Sequence, residues 1–193
     1  MILCANPSAQ FYSYQSEIES AVISVMRGNR YILGAEVEAL EEEFATYIGT
    51  SYAVGVANGT DAIELALRAL DIKNGDEVIT VSHTAVATVA AIESSGATPV
   101  LVDVEQQFYT LEPTQLEEVH SSRTKAVIAV HLYGQSVNIE AIKYFCDKHN
   151  IFLIEDTSQA HGAFYKDKRL GSIGDIGCFS CYRTKNLGAI GDA

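Results

Sequence analysis

The stretches KAVIAVHLYG, residues 125–134, and IFLIEDTS, residues 151–158, decide the fold of this chain. Both are short apolar runs rich in Val and Ile, and both end in polar residues. Between them, apolar residues recur at helical spacing from Ile139 to His149, with Asn138 as the predicted N-cap. Two buried strands joined by an amphipathic helix are typical of neighbouring parallel strands. We therefore predict a strand, a crossover helix and a second strand in one sheet.

The same alternation of strands and helices continues toward the N-terminus. GDEVITVS and PVLVDV predict two strands, separated by a nearly all-apolar helix from Ala85 to Ser94 that we expect to be buried. Helical spacing predicts helices from Gln15 to Arg27 and from Ala35 to Tyr47. Tyr52 to Ala57 predicts a further strand, followed after a polar turn by a helix. The predicted fold is an α/β three-layer sandwich with a mostly parallel central sheet.

Composition narrows the class of protein. A chain of 193 residues with 48% hydrophobic and 20% charged residues is typical of one globular domain. A net charge of −12 with only 13 scattered basic residues argues against a nucleic-acid partner. No apolar run approaches the roughly 20 residues that cross a bilayer, and MILCANPSAQ lacks the pattern of a signal peptide. We therefore expect a cytoplasmic protein with no membrane partner.

The cysteines predict no disulfide framework. Cys4, Cys146, Cys178 and Cys181 are few and irregularly spaced. Cys178 and Cys181 form a C-x-x-C, which could be a redox pair or half of a zinc site, but no second pair accompanies it. We interpret both as small, buried strand residues.

Ligands of parallel sheets bind beyond the carboxyl ends of the strands, so the residues after each predicted strand are the candidates for a site. The turn Asn58-Gly59-Thr60 precedes a predicted helix, whose free N–H groups and the Thr60 hydroxyl could hold a phosphate. The same residues could equally be a simple helix cap. Neither G-x-G-x-x-G nor a P-loop is present, which argues against nicotinamide and Walker-type nucleotide binding.

Asp156 ends the apolar strand of IFLIED, where a carboxylate is costly unless a positive group faces it. A protonated ring nitrogen or a metal ion would serve, and so would an ordinary cap or ion pair. Asp156, Gln159 and His161 together lack the ligand pattern of a metal site. We therefore predict no metal.

Lys185 follows the predicted strand of GCFSCY and lies among small residues, glycines and Arg183. A solvated lysine would not require so many small neighbours, whereas a ligand close to the backbone would. Pyridoxal 5′-phosphate (PLP) needs an amine for its aldehyde, a carboxylate for its ring nitrogen and donors for its phosphate. Lys185, Asp156 and the Gly59-Thr60 turn offer these three groups, which makes PLP the predicted cofactor.

The residues that carry this chemistry also carry a resemblance to a known family. VANGTDAIELALRAL, GDEVITVSHTAVAT, TKAVIAVHLYGQ, EDTSQAHGAFYKDKRLGSIGDIGCFS and TKNLGAIGD follow one another along the chain. In this order they resemble the DegT/DnrJ-type sugar aminotransferases, which are PLP enzymes of the aspartate-aminotransferase fold acting on nucleotide-linked keto sugars. The resemblance covers nearly the whole chain and implies that an amino donor, glutamate, aminates a nucleotide-linked keto-deoxy sugar. It also implies a homodimer.

The resemblance implies a role for individual residues. Lys185 is the Schiff-base lysine, Asp156 pairs with the pyridinium nitrogen, and Gln159 lies against the ring. Ser180 with Gly59 and Thr60 holds the phosphate. The weaker candidates for the substrate site are Tyr31, Tyr133 and His161.

The sequence departs from the family pattern in three ways. Ala85 stands where members often carry an aromatic residue that stacks on the cofactor, and only the adjacent His83 could take that role. Arg183 replaces a frequent proline. Members also run to roughly twice this length, consistent with a second, smaller domain. We expect residues 1–193 to be the PLP-binding large domain, with an N-terminal helical arm over 1–30, an α/β core over 31–193 and the C-terminal small domain absent, and to be inactive alone.

Three other functions compete with this interpretation. A PLP-dependent nucleotide-sugar dehydratase of the same family would carry histidine at the lysine position, and Lys185 argues against it. A non-catalytic regulatory relative would not need Lys185, Asp156, Gln159 and Ser180 together. A nucleotide-binding α/β domain without PLP would not turn yellow with the cofactor.

Overall fold

The computed structural model describes residues 5–193, and Cys4 lies outside them. The N-terminal part is helical, with α1 over Pro7–Ser13, α2 over Gln15–Arg27 and α3 over Ala35–Ile48. The Asn6 side chain caps α1 by accepting a hydrogen bond from the N–H of Ala9. Neither α1 nor α2 has a buried residue. The predicted helix from Gln15 to Arg27 is confirmed at both ends, and α3 extends one residue beyond its prediction.

The remaining helices and strands largely alternate. The core elements are α4 (Gly59–Ala69), β1 (Glu77–Val81), α5 (Val86–Ser95), β2 (Thr98–Val102), α6 (Leu116–Val119), β3 (Thr124–Val130), α7 (Ile139–His149) and β4 (Phe152–Asp156). A short hairpin of β5 (Phe164–Tyr165) and β6 (Lys168–Arg169) follows, and then β7 (Ile176–Cys178). Single 3-10 turns cover Pro113–Gln115 and Leu132–Gly134. The Asn138 side chain caps α7 as predicted.

Five strands form one parallel sheet in the order β2-β1-β3-β4-β7. The register aligns the strand ends, because Val130 pairs with Asp156 and Asp156 pairs with Cys178. The interiors of β1, β3 and β4 are fully buried, including Ile79, Ile128 and Ile154, whereas Leu101 in the edge strand β2 is 50% exposed. The polar residues that follow β1, β3, β4 and β7 therefore emerge together at the carboxyl ends of the strands.

The direction of the crossovers places helices on both faces of the sheet. The connection from β1 through α5 to β2 runs toward one edge, whereas that from β3 through α7 to β4 runs toward the other. Right-handed crossovers in opposite directions put α5 and α7 on opposite faces. The predicted three-layer α/β sandwich is confirmed. The strand order reverses between β1 and β3, and this switch point is where ligands of such sheets bind.

Two of the predicted elements are wrong in detail. Tyr52–Ala57 is not a strand, because these residues form no ladder with any other part of the described chain. Tyr52 is 87% exposed and Val54 77% exposed, so the described part of the chain does not bury these two side chains as a central strand would require. The predicted burial of the helix that begins near Ala85 holds for one face only. Its first residue, Val86, is 83% exposed.

The two cysteines of the C-x-x-C have different surroundings. Cys178 closes β7 and is buried, as predicted, whereas Cys181 lies beyond the strand and is half-buried. Burial, with a smaller contribution from the charge of Asp156, raises the pKa of the Cys178 thiol to about 12. Burial also raises the pKa of Cys181. Both residues are therefore thiols at neutral pH, which does not favour a redox pair.

A buried carboxylate ties the sheet to the loop before β7. Glu155 accepts hydrogen bonds from the N–H groups of Gly171, Ile173 and Gly174 and from His131 Nε2 at 3.0 Å. The Val137 N–H donates to Nδ1 of His131, so the ring proton is on Nε2. Burial opposes ionisation of Glu155, but these hydrogen bonds outweigh it and hold its pKa below the ordinary value of 4.5.

Substituting Glu155→Gln is expected to lower the free energy of unfolding by about 3 kcal/mol at neutral pH. The amide NH₂ would face backbone donors that now meet an oxygen. Because the folded-state pKa is depressed, the stabilisation is complete above pH 4.5 and is lost as the pH falls through the folded value. Denaturant unfolding at several pH values measures it. The exposed Glu118→Gln is the control, and equal stabilities of the two variants would contradict the assignment.

Across residues 5–193, no helix is long and apolar enough to span a bilayer. The same residues bring together no group of three His, Cys, Asp or Glu side chains that could hold a metal ion.

Candidate active site

A cavity of about 700 Å³ opens at the carboxyl ends of the strands, over the switch point between β1 and β3. The residues after four strands and the first turn of α4 line it. Eight of the predicted site residues meet there: Gly59, Thr60, His83, Tyr133, Asp156, Gln159, Ser180 and Lys185.

The first turn of α4 forms one wall of this cavity. The Asn58 side chain accepts a hydrogen bond from the N–H of Asp61 at 2.8 Å, which leaves the N–H groups of Gly59 and Thr60 without a partner in residues 5–193. Gly59 is buried against Ser180, and a Cβ at Gly59 would lie 2.7 Å from the Ser180 Cβ. The absence of a side chain at Gly59 therefore keeps the Ser180 hydroxyl and a helix N-terminus together, which suits an anion.

Asp156 is only 6% exposed at the end of β4. Its Oδ1 accepts a hydrogen bond from the N–H of Ser158 at 3.1 Å, and its Oδ2 accepts one from the Thr88 hydroxyl at 3.3 Å. Both donors are neutral. Within the described range, Asp156 is part of no ion pair. A carboxylate buried with neutral donors alone favours a cationic ligand opposite it.

Lys185 lies half-buried in the turn that follows β7, and it lines the cavity. Its backbone N–H donates to the carbonyl of Tyr182 at 2.7 Å, which holds the turn. The ion pairs found among residues 5–193 do not include its amine. Arg183, two residues before Lys185 in the sequence, is exposed and lines a separate cavity of about 620 Å³ beside α1 and α2.

His161 lies behind the cavity and does not line it. Its ring packs against Phe179 at a centroid distance of 5.6 Å, and neither ring nitrogen has a hydrogen-bond partner in the described chain. Burial lowers the pKa of His161, and the charge of Lys185 lowers it further. A neutral imidazole is therefore the favoured form beside the lysine.

His83 and Tyr133 form a polar aromatic pair at the mouth of the cavity. Their side chains share a hydrogen bond of 2.7 Å between His83 Nε2 and the Tyr133 hydroxyl. Tyr133 has a left-handed backbone with φ of 60°, a strained conformation that is concentrated at functional sites. The pair lines the same cavity as Ala85, the position where the resemblance expects an aromatic side chain.

Tyr31 is separate from this arrangement. Its ring is 67% exposed, its hydroxyl donates to the Met26 carbonyl, and it does not line the cavity. Conversely, the prediction missed Thr84, Ser158 and Tyr182, which do line it. Thr84 lies just before the N-cap of α5 and Thr88 in its first turn, so two hydroxyl residues four positions apart at a predicted helix start were the available signal.

Comparisons with known proteins agree with this geometry. Residues 13–193 match the family model described as the DegT/DnrJ/EryC1/StrS aminotransferase family. A relative from Aneurinibacillus thermoaerophilus, dTDP-3-amino-3,6-dideoxy-alpha-D-galactopyranose transaminase, is 51% identical over 167 residues, which are 86% of this chain and 46% of the relative. The dTDP-3-amino-3,4,6-trideoxy-alpha-D-glucose transaminase of Streptomyces venezuelae is 43% identical over 95% of this chain and 48% of its own.

A solved structure extends the agreement to the fold. The crystal structure of S. venezuelae DesV in complex with a ketimine intermediate superposes with a TM-score of 0.95 and 42% identity. The superposition covers 97% of this chain and 50% of that one. The chain spans about half the length of the curated relatives it matches. By family match, sequence identity and fold, the chain belongs to the DegT/DnrJ/EryC1/StrS aminotransferase family.

Proposed function

We propose that this chain is the cofactor-binding part of a PLP-dependent aminotransferase. The enzyme would convert a nucleotide-linked keto-deoxy sugar to an amino sugar, with glutamate as the amino donor. The observation that carries the proposal is the meeting of Lys185, Asp156 and the Gly59–Ser180 contact in one cavity. The relatives' names support the substrate class, since they are transaminases of dTDP-linked amino sugars.

The residues of the cavity fit PLP group by group. Asp156 offers a buried negative charge with neutral donors on both oxygens, which suits a protonated ring nitrogen. The N–H groups of Gly59 and Thr60 and the Ser180 hydroxyl suit its phosphate. Lys185 supplies an amine without an ion-pair partner among residues 5–193, and Gln159 supplies an amide near the ring.

Bound PLP supplies an electron sink that stabilises negative charge at the substrate carbon. The Lys185 Nζ takes the proton from the amino donor and later returns one to the carbon that receives the amino group. Asp156 would hold a carboxylate opposite the ring nitrogen of the bound cofactor. His83, held by Tyr133, covers the side of the site where Ala85 leaves space. The neutral His161 adds no second positive charge near the Lys185 amine.

The experiment that tests this function uses the full-length protein with PLP, glutamate and a panel of 3-keto and 4-keto nucleotide sugars. We expect yellow protein and formation of 2-oxoglutarate together with an amino sugar from at least one member of the panel. Failure of the protein to take up PLP would contradict the proposal. The panel also identifies the nucleotide and the keto position.

Substituting Gly59→Ala is expected to weaken PLP binding by about tenfold or more. The new Cβ would lie 2.7 Å from the Ser180 Cβ, which forces Ser180 away from the N-terminus of α4. Fluorescence titration of the protein with PLP measures the dissociation constant. Gly55→Ala is the matched control, because a Cβ there meets its neighbours only at 3.5 Å. Equal affinities of the two variants would contradict the phosphate assignment.

The arrangement of the N-terminal residues supports an arm and a homodimer as further parts of the proposal. We propose residues 1–30 as a helical arm on an α/β core of residues 31–193, located in the cytoplasm. Helices α1 and α2 bury no residue and leave Tyr12 70% and Met26 66% exposed. A second copy would cover these side chains. Sedimentation of the full-length protein at twice the protomer mass would support this arrangement, and a monomer would contradict it.

A further inference from the structure

The surroundings of Asp156 contain a threonine that no ligand needs to touch. Thr88 is fully buried in the first turn of α5, and its hydroxyl donates to Asp156 Oδ2. Thr88 does not line the cavity, whereas Asp156 does. Any effect of Thr88 on a ligand therefore passes through the carboxylate.

A second threonine stands behind the first. Thr84 lies just before the N-cap of α5, and its Oγ1 is 2.9 Å from Thr88 Oγ1. Each hydroxyl has one proton, and an ionised carboxylate can only accept. The Thr88 proton must therefore point to Asp156, and Thr84 must donate to Thr88. With Asp156 ionised, both hydroxyl protons point toward the carboxylate, which is the arrangement that stabilises its negative charge.

We propose that Thr88, with Thr84 behind it, is a positioning residue that orients the Asp156 carboxylate and favours its charged form opposite the cofactor ring nitrogen. The inference rests on the proposed function, because it assumes that PLP is the group facing Asp156. Donors aimed at the carboxylate stabilise the pair of charged carboxylate and protonated ring over the pair of neutral groups. The Ser158 N–H fixes the other oxygen, so two donors set the plane of the carboxylate.

The test compares Thr88→Val, which keeps the shape but removes the hydroxyl, with Thr88→Ser, which keeps the hydroxyl. The readouts are the ¹⁵N chemical shift of the ring nitrogen in bound, ¹⁵N-labelled PLP and the dissociation constant for PLP. In Thr88→Val we expect the shift to move toward that of an unprotonated ring. The 3.3 Å hydrogen bond is long for a hydroxyl donor, so we expect the dissociation constant to rise by about tenfold rather than a hundredfold.

Thr88→Ser is expected to restore the wild-type ¹⁵N shift, and Thr84→Val is expected to give a smaller change in the same direction as Thr88→Val. Thr84 lines the cavity, so its variant also acts on a bound ligand directly; Thr88→Ala, which likewise removes the hydroxyl, tests the proposal if Thr88→Val does not fold. A wild-type shift in every hydroxyl-deleted variant that folds and binds PLP would overturn this inference alone. A wild-type protein that takes up no PLP would overturn both the inference and the proposed function.

Discussion

Replacing Lys185 by alanine in the full-length protein is expected to reduce transamination by about ten-thousandfold or more. The substitution removes the amine that forms the covalent link to the cofactor and the group that moves the proton. The yellow absorbance of the PLP-bound protein, which borohydride would otherwise eliminate by reducing that link, is expected to be absent. Absorbance spectra and a coupled assay for 2-oxoglutarate measure the two effects.

The matched control for this variant is Lys125→Ala. Lys125 is exposed in the first half of β3, at the end of the strand away from the cavity, and has no ion pair in the described part of the chain. Its removal is expected to leave both the spectrum and the rate unchanged. Yellow protein that resists washing and is reduced by borohydride in the Lys185→Ala variant would show that another amine carries the link.

The second large effect is expected at Asp156. Substituting Asp156→Asn keeps the size of the side chain and an oxygen that can accept from the Ser158 N–H, but removes the negative charge. Without that charge, the ring nitrogen loses the partner that favours its protonated form, so we expect kcat/KM to fall by about a hundredfold to a thousandfold. Steady-state kinetics with the best substrate of the keto-sugar panel give this ratio.

Asp167→Asn serves as the control, since Asp167 is exposed in the β5–β6 hairpin. It also changes the net charge by the same amount, which separates a local effect from a general electrostatic one. A kcat/KM for Asp156→Asn equal to that of the control would mean that the buried carboxylate has a structural role only.

The fold was largely predictable because the strong signals are local. The helix at Ile139–His149 was predicted to the residue, since its apolar spacing and its Asn138 cap lie within the segment itself. Tyr52–Ala57 was predicted wrongly because a strand needs a partner, and no short stretch of sequence contains that information. The helix after Ala85 was too apolar for its sequence to show which side faces solvent.

The candidate site was predictable where a residue follows a strand. Parallel strands bring such residues together at their carboxyl ends, which is why Asp156, Gln159 and Lys185 could be grouped without coordinates. The His83–Tyr133 hydrogen bond joins residues 50 positions apart and depends on the order of β1 and β3 in the sheet. Thr88 was missed for a similar reason, since its partner Asp156 is 68 positions away.

The two neighbouring acids at the end of β4 also bear on how the sheet assembles. Successive strand residues point to opposite sides, so a slip of β4 by one position against β3 would put either Asp156 or Ile154 where Glu155 now lies. Aspartate is one methylene shorter and isoleucine has no acceptor, so the three backbone N–H groups that Glu155 now satisfies would lose their partner. The shifted register of β4 would therefore be less stable than the correct one even in the absence of a cofactor. The hydrogen bonds of Glu155 therefore favour the correct register of β4, and in that register Asp156 lines the cavity.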